Sequence, residues 1–219
     1  MTENSPSNPR KVIVVNGSPR KNWCTAQILH SARDGARDSG AEVEYVDLYD
    51  LTFSGCRSCL ACKRKGIANP CKCYWNDGLS ELLEKIYRSD VLITGAPIYF
   101  GEPAAGFRAL FERLIFPALS YNDYSTQFRG RVDTTVFMPM NAPREYYDAH
   151  YVDRMNEFFA PMRFLNGKTE LIPVCDTLQV SDYSKYDMRG FDGDHKKARH
   201  ETEFPKILEL AYQIGAGRR

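Results

Sequence analysis

The chain has 219 residues, 43% of them hydrophobic, which is enough for one α/β domain with a full core. Its 29 basic and 28 acidic residues leave a net charge of +1, so neither nucleic acid nor an acidic membrane surface is an expected partner. No apolar run is long enough to span a bilayer. Residues 1–10 are polar and resemble no signal peptide, which predicts a disordered tail before a single domain at 11–219 in a cytoplasmic protein.

The first element is an apolar run at residues 12–15, which predicts a buried strand followed by a polar loop and a helix. The backbone N–H groups at such a helix start, with the helix dipole, favour a phosphate. Ser18 and Thr25 add hydroxyl donors and Arg20 adds a cation. The loop matches neither the dinucleotide nor the nucleoside-triphosphate glycine motif, so it indicates either a mononucleotide phosphate site or an ordinary capped turn.

The rest of the chain alternates strands and helices, which predicts a doubly wound, five-stranded parallel sheet with strand order 2-1-3-4-5. In such sheets a ligand lies at the carboxyl ends of the strands, between the first and third strands. The later strands are predicted at residues 42–47, 91–95, 134–138 and 169–174, and the helices at 23–39, 77–87, 146–164 and 196–212, with one more opening at Pro103.

The loop after the third strand is rich in proline, glycine and aromatic residues. Pro97 fixes the backbone, and Gly101 allows a flat ligand to approach closely. Tyr99 and Phe100 supply a planar apolar wall, which a ring system needs, although they could instead cap the core. Because this loop and the first loop meet at the same sheet edge, together they favour a mononucleotide that carries a ring.

Five of the seven cysteines lie close together, between residues 56 and 73. Cys56, Cys59 and Cys62 have C-x2-C-x2-C spacing, and Cys71, or alternatively Cys73, could be a fourth ligand. Four thiolates satisfy the requirement of a [4Fe–4S] cluster. A zinc site, and free or disulfide-capable thiols, stay open as alternatives.

Three loop motifs resemble the NADPH-dependent FMN reductase family of flavodoxin-like proteins, over most of residues 11–215. They are Gly17-Ser-Pro-Arg20 with Thr25, Gly95-Ala-Pro-Ile-Tyr-Phe-Gly101, and the segment from Thr177 to Tyr186. The resemblance implies FMN as cofactor, and topology adds Asn141 in the loop after the fourth strand. The expected FMN contacts are Ser18, Arg20, Asn22, Cys24 and Thr25 around the phosphate, and Pro97, Ile98, Tyr99, Phe100 and Gly101 along the ribityl chain and ring.

This resemblance implies an oxidoreductase in which FMN takes electrons from NAD(P)H and passes them to a small-molecule or protein acceptor, without a catalytic acid or base in the protein. The cysteine motif resembles that of iron–sulfur flavoproteins in the same family, so an electron carrier with a cluster is one alternative. A non-catalytic flavin and thiol redox sensor is another. The aromatic stretch from Tyr146 to Phe159 predicts a homodimer or homotetramer that covers the flavin, if these side chains are not core.

Overall fold

The computed structural model describes residues 8–218 and is built on a five-stranded parallel sheet. Its strands are β1 (Lys11–Asn16), β2 (Glu42–Asp47), β3 (Val91–Gly95), β6 (Val132–Pro139) and β7 (Asn166–Val174), and β4 (Ile98–Tyr99) and β5 (Glu102–Pro103) form a separate antiparallel hairpin. The order across the sheet is β2-β1-β3-β6-β7. Since β6 and β7 are the fourth and fifth strands of this sheet, the predicted order 2-1-3-4-5 is confirmed. The predicted tail lies outside the described residues at positions 1–7.

Residues 8–218 form seven α-helices, five of which pack on the two faces of the sheet. α1 and α7 pack on one face, and α2, α3 and α5 pack on the other. None of the helices in this part of the chain combines the length and the apolar character that crossing a membrane requires. The helices are α1 (Cys24–Asp38), α2 (Ser80–Tyr87), α3 (Ala105–Ala118), α4 (Arg144–His150), α5 (Val152–Phe159), α6 (Gly193–Thr202) and α7 (Phe204–Gly215).

Strand β1 shows why the sequence folds into these layers. Side chains alternate across a strand, so Val12 and Val14 join the core under α1 and α7, whereas Ile13 and Val15 join the core under α2 and α3. All four are buried. A strand that is apolar on both faces must lie in the middle of a covered sheet, and β1 pairs with β2 on one side and with β3 on the other.

The predicted helix at 146–164 is divided into α4, α5 and a 3-10 turn, and the one at 196–212 is divided into α6 and α7. The helices expected from residue 77 and from Pro103 begin later, at Ser80 and Ala105. α5 ends before a 3-10 turn that contains Pro161, and α6 and α7 are separated just before Pro205. Proline lacks an N–H and clashes with the preceding turn, so it favours a helix start over a helix interior. α3 is the exception, since it contains Pro117 in its last turn. Pro103 does not open α3, because it is paired in the β4–β5 hairpin.

Two glycines let α1 and α7 pack against each other at close range. A Cβ atom at Gly35 would lie 2.0 Å from the carbonyl oxygen of Tyr212, and one at Gly215 would lie 1.9 Å from that of Ala32. Real Cβ atoms do not approach backbone so closely. The interface between the first and last helices therefore requires glycine at both positions.

We expect Gly35→Ala to lower the free energy of unfolding by about 1–3 kcal/mol, because the two helices would have to separate. Helix propensity alone favours alanine by about 1 kcal/mol, so it acts in the opposite direction. Urea unfolding followed by circular dichroism measures the difference. Gly190→Ala is the control, since a Cβ atom there would meet nothing within 4 Å. Equal or higher stability of Gly35→Ala would contradict the tight packing of α1 on α7.

Candidate functional site

The loop between β1 and α1 is fixed by hydrogen bonds within itself and to the neighbouring strand. The Gly17 N–H donates to the carbonyl oxygen of Gly95 (2.8 Å) at the end of β3. The Ser18 N–H donates to the Asn16 side-chain oxygen (3.0 Å), and the Ser18 hydroxyl oxygen accepts from the Arg20 N–H (3.2 Å). Any side chain at Gly17 would lie 2.9 Å from the Gly95 oxygen, so glycine is required there.

The N-terminus of α1 follows directly and has no side-chain cap. Trp23 occupies the N-cap position without a capping hydrogen bond from its side chain. The N–H groups of the first turn are therefore left for another acceptor, and the helix dipole favours an anion at this point. Ser18, Cys24 and Thr25, which sequence reasoning assigned to a phosphate site, are all buried here.

One small cavity joins this loop to the loops that follow three other strands of the sheet. Its volume is about 60 Å³. The predicted residues Ser18, Arg20, Cys24, Thr25, Pro97, Ile98, Tyr99 and Asn141 all line it, together with Trp23, Pro139, Met140, Thr177 and Gln179. Eight of the eleven predicted cofactor residues are thus brought together at the carboxyl edge of the sheet.

The other three predicted residues lie outside this cavity. Asn22 is exposed. The Phe100 side chain is 99% exposed, with a left-handed backbone (φ 53°) at the tip of the β4–β5 hairpin. Gly101 also has positive φ (75°), and a Cβ atom there would lie 2.9 Å from the Tyr151 ring. The hairpin therefore turns Phe100 away from the cavity, and Gly101 is needed for the turn itself.

The loop after β7 closes one side of the cavity and binds the donors of the first loop. An Arg20 guanidinium nitrogen donates to the Gln179 carbonyl oxygen (2.6 Å), and the Trp23 indole donates to that of Leu178 (2.8 Å). The Arg20 guanidinium also lies over the Trp23 ring, 4.9 Å from its centroid. Sequence reasoning noted the segment from residue 177 but not these contacts, because nothing in the pattern indicates which carbonyl a tryptophan reaches.

Two buried acceptors of this region lack hydrogen-bond partners among the described residues. They are the side-chain oxygens of Asn141 and Gln179. Both residues line the small cavity. Buried polar atoms are nearly always hydrogen-bonded, so these two oxygens have unused acceptor capacity beside the cavity.

A larger cavity of about 600 Å³ adjoins the small one and shares Ile98, Met140 and Asn141 with it. Aromatic rings from Tyr146, Tyr151 and Phe191 line it. The stretch predicted to cover a flavin thus has a divided role, since Tyr146 and Tyr151 border this cavity while other members of the stretch, such as Phe159, are buried in the core.

A buried ion pair from α6 holds the wall between the two cavities. Lys196 is only 5% exposed; its ammonium donates to the Asn141 carbonyl oxygen (2.7 Å) and pairs with the Asp176 carboxylate. His195 (2.8 Å) and Arg199 (3.1 Å) contact the other carboxylate oxygen. Burial would raise the pKa of Asp176, but the hydrogen bonds from Lys196 and His195 outweigh it and hold that pKa below its usual value. Sequence reasoning missed Lys196, which resembles the other charges of a polar helix.

The cysteine segment forms a second candidate site beside α3. Cys56, Cys59, Cys62 and Cys73 line one small cavity of about 20 Å³, whereas Cys71 lines a different one. In residues 8–218, no three His, Cys, Asp or Glu side chains are grouped so that they could hold a metal ion. The four thiols face a common space, but they do not converge on one point as the segment is folded here.

The backbone around Cys59 is held in an unusual conformation. Ser58 and Leu60, on either side of this cysteine, have left-handed backbones with φ of 52° and 56°. Such conformations are unfavourable for residues other than glycine and persist only where the surroundings fix them. The Arg57 guanidinium, 4.0 Å from the centroid of the Trp75 ring, anchors one side of this turn.

Parallel strands in this order, with loops meeting at their carboxyl ends, define a flavodoxin-like fold, and solved structures agree. A NAD(P)H:quinone oxidoreductase from Methanothermobacter marburgensis superposes with a TM-score of 0.70 at 16% identity, covering 96% of this chain and 100% of that one. An azoreductase from Bacillus anthracis gives a TM-score of 0.62 at 12% identity, covering 95% and 99%. At these identities the likeness shows the fold alone.

The chain belongs to the NADPH-dependent FMN reductase family, whose model matches residues 10–144. It is similar to an iron-sulfur flavoprotein of Methanocaldococcus jannaschii, with 34% identity over 103 residues, covering 47% of this chain and 51% of that protein. An iron-sulfur flavoprotein of Methanosarcina thermophila is 30% identical over 105 residues, covering 48% and 52%. The chain spans about half the length of the curated relatives it matches.

We expect Asp176→Asn to lower the free energy of unfolding at pH 7 by about 3 kcal/mol, because Lys196 would stay buried without its carboxylate. The pKa of Asp176 is lower in the folded protein than the unfolded value of about 4. Its contribution is therefore complete above pH 4 and is lost as the pH falls through the folded-state pKa. The difference between wild type and variant should narrow at low pH.

Urea unfolding at several pH values measures this difference. Asp148→Asn is the matched control, since Asp148 makes an exposed ion pair with Arg144 and such pairs contribute at most about 1 kcal/mol. A gap between wild type and Asp176→Asn that does not change with pH would show that the carboxylate charge is not what holds α6 in place.

Proposed function

We propose that this protein binds FMN at the carboxyl edge of the sheet and works as an FMN-dependent oxidoreductase. The observation that carries the proposal is the cavity where loops from four strands meet, with an uncapped helix N-terminus, two hydroxyls and an arginine around it. The unpartnered oxygens of Asn141 and Gln179 fit a ligand that also has hydrogen-bond donors, as FMN does. Membership of the NADPH-dependent FMN reductase family supports the same cofactor.

The residues divide between the two ends of such a ligand. Ser18, Arg20, Thr25 and the first turn of α1 would hold the phosphate. Tyr99 and Asn141 would border the ring, and Lys196 holds Asn141 in place through its backbone carbonyl. Bound FMN would supply hydride and electron transfer, with NAD(P)H as the donor that the family name suggests. The protein's own part is to bind and orient.

The small cavity, at about 60 Å³, has room for only part of FMN, so the flavin ring would extend into the larger cavity of about 600 Å³, and the remaining room there is the proposed place for the electron acceptor. The larger cavity is lined by Tyr146, Tyr151 and Phe191 and adjoins the small one. Aromatic walls of this kind suit a planar ring, so we expect a quinone or another aromatic acceptor. The likeness to a quinone oxidoreductase is in keeping with this choice.

A second candidate function places a [4Fe–4S] cluster on the cysteine segment and makes the protein an electron carrier. Four thiols around one cavity are the donor set that such a cluster requires. Lys63 and Arg113 lie beside these thiols and would offset their negative charge. The name of the curated relatives, iron-sulfur flavoprotein, supports this candidate. The cysteine segment would have to tighten around a cluster, because the thiols do not converge as placed.

We expect Ser18→Ala and Arg20→Ala each to weaken FMN binding roughly ten- to hundredfold, because a hydrogen bond to a charged group contributes about 1.5–3 kcal/mol. Fluorescence titration of the apoprotein with FMN measures the affinity. Arg37→Ala, at the other end of α1, is the control and should bind FMN like the wild type. Unchanged affinity in both test variants would place the phosphate outside this loop.

Anaerobic purification distinguishes the candidate functions by absorbance, iron content and NAD(P)H oxidation. A yellow protein that oxidises NAD(P)H is expected for the main proposal. Broad brown absorbance with about four irons per chain is expected if the cluster is present as well. A yellow protein without iron that does not react with nicotinamides would contradict both and leave a flavin and thiol sensor.

A further inference from the structure

Cys71 and Cys73 are only two residues apart, and spacing alone does not tell which of them accompanies Cys56, Cys59 and Cys62. The surroundings of the two thiols differ. Cys73 lines the cavity that the other three cysteines line, whereas Cys71 lines a separate cavity with Asn69, Ser125 and Arg129 among its other residues.

The two thiols also differ in their contact with a buried arginine of α3. Arg113 is 1% exposed, and its Nε donates a hydrogen bond to the Cys73 sulfur at 3.4 Å. Its other nitrogens pair with the Asp77 carboxylate (2.6 Å) and donate to the carbonyl oxygens of Ser54 (3.1 Å) and Trp75 (2.7 Å). One guanidinium therefore binds the chain on both sides of the cysteine segment as well as one of its thiols.

Neighbouring positions of α3 hold other parts of the same segment. The Glu112 carboxylate accepts a hydrogen bond from the Cys56 N–H (3.1 Å), and Lys63, next to Cys62, donates to the carbonyl oxygens of Phe116 and Leu119. Cys56, through its own N–H, and Cys62, through the neighbouring Lys63, are thus also held against α3. The N–H of Cys71 instead bonds within its own loop, to the Asn69 side-chain oxygen (3.1 Å).

We propose that Arg113 is a positioning residue that directs the Cys73 sulfur into the shared cavity, so that Cys73 rather than Cys71 is the fourth ligand of the cluster. This inference rests on the second candidate function. A guanidinium is always charged and donates in fixed directions, so it both stabilises a thiolate and fixes where its sulfur lies. Because Arg113 is buried with its partners around it, the Cys73 sulfur is held there even before a cluster is present.

The test compares Cys71→Ser and Cys73→Ser in the full chain after anaerobic reconstitution with ferrous iron and sulfide. The two changes are matched in chemistry, and both residues are half-buried. We expect Cys71→Ser to keep the wild-type iron content and brown absorbance, and Cys73→Ser to keep less than about a tenth of the iron, since serine is a poor substitute for thiolate on iron.

Other outcomes of this comparison overturn the assignment. Loss of iron in Cys71→Ser with retention in Cys73→Ser would make Cys71 the ligand. Equal iron content in the two variants would remove the distinction between the two cysteines. In both cases, a wild type that takes up iron would still support the cluster itself. A wild type that takes up no iron would overturn the cluster and this inference together, while FMN binding would still test the main proposal.

The role of Arg113 is tested with Arg113→Lys, which keeps the charge beside Asp77 but not the donor to Cys73. We expect several-fold less iron and, in the fraction that carries a cluster, a lower reduction potential, because hydrogen bonds to cluster sulfur tune the potential. Arg108→Lys, on the same helix, should match the wild type. A potential and iron content equal to wild type in Arg113→Lys would overturn the positioning role, and if this variant does not fold, the cysteine pair still decides the assignment.

Discussion

The position of β1 between β2 and β3 is the constraint on which the candidate site depends. The helix after β1 packs on one face of the sheet and the helix after β3 packs on the other, so the loops that lead to them separate at the carboxyl edge. The Gly17–Gly95 hydrogen bond holds the starts of the two loops together, and residues further along both loops line one cavity. The crevice between them is a consequence of the strand order, and the residues assigned to phosphate and ring lie on its two sides.

Buried ion pairs at two places fix the positions of loops and of α6, which the order of the strands does not determine. Lys196 and Asp176 hold the loop after β6 and bring α6 against it, and Arg113 holds the cysteine segment against α3. A buried ion pair adds little net stability but penalises any arrangement in which one partner is left alone. The Lys196–Asp176 and Arg113–Asp77 ion pairs therefore fix where these loops lie more than they add to the free energy of unfolding. α3 starts just after the β4–β5 hairpin, and its residues Glu112, Arg113 and Phe116 contact the cysteine segment at residues 56–73. One helix therefore connects the two candidate sites.

Much of the fold follows from the sequence because buried parallel strands have a simple pattern. The predicted strands 42–47 and 91–95 match β2 and β3, since each is bounded by turn residues. The breaks at Pro161 and Pro205 were missed because these prolines were not weighed against otherwise helical composition. No turn residue marks the break between α4 and α5 at Tyr151. In the site, loop position predicted Ser18, Thr25 and Pro97. Side-chain direction in irregular loops has no period, which is why Phe100 points outward and why the choice between Cys71 and Cys73 needed the structure.

The most direct test of the flavin site compares the binding of FMN and riboflavin to the apoprotein by isothermal titration calorimetry. The two ligands share the ring and the ribityl chain and differ only in the phosphate. If the loop after β1 and the N-terminus of α1 bind that phosphate, at least two charged hydrogen bonds are lost with riboflavin, and we expect its affinity to be lower by at least about a hundredfold. Equal affinity for the two ligands would contradict a phosphate site at Ser18, Arg20 and Thr25.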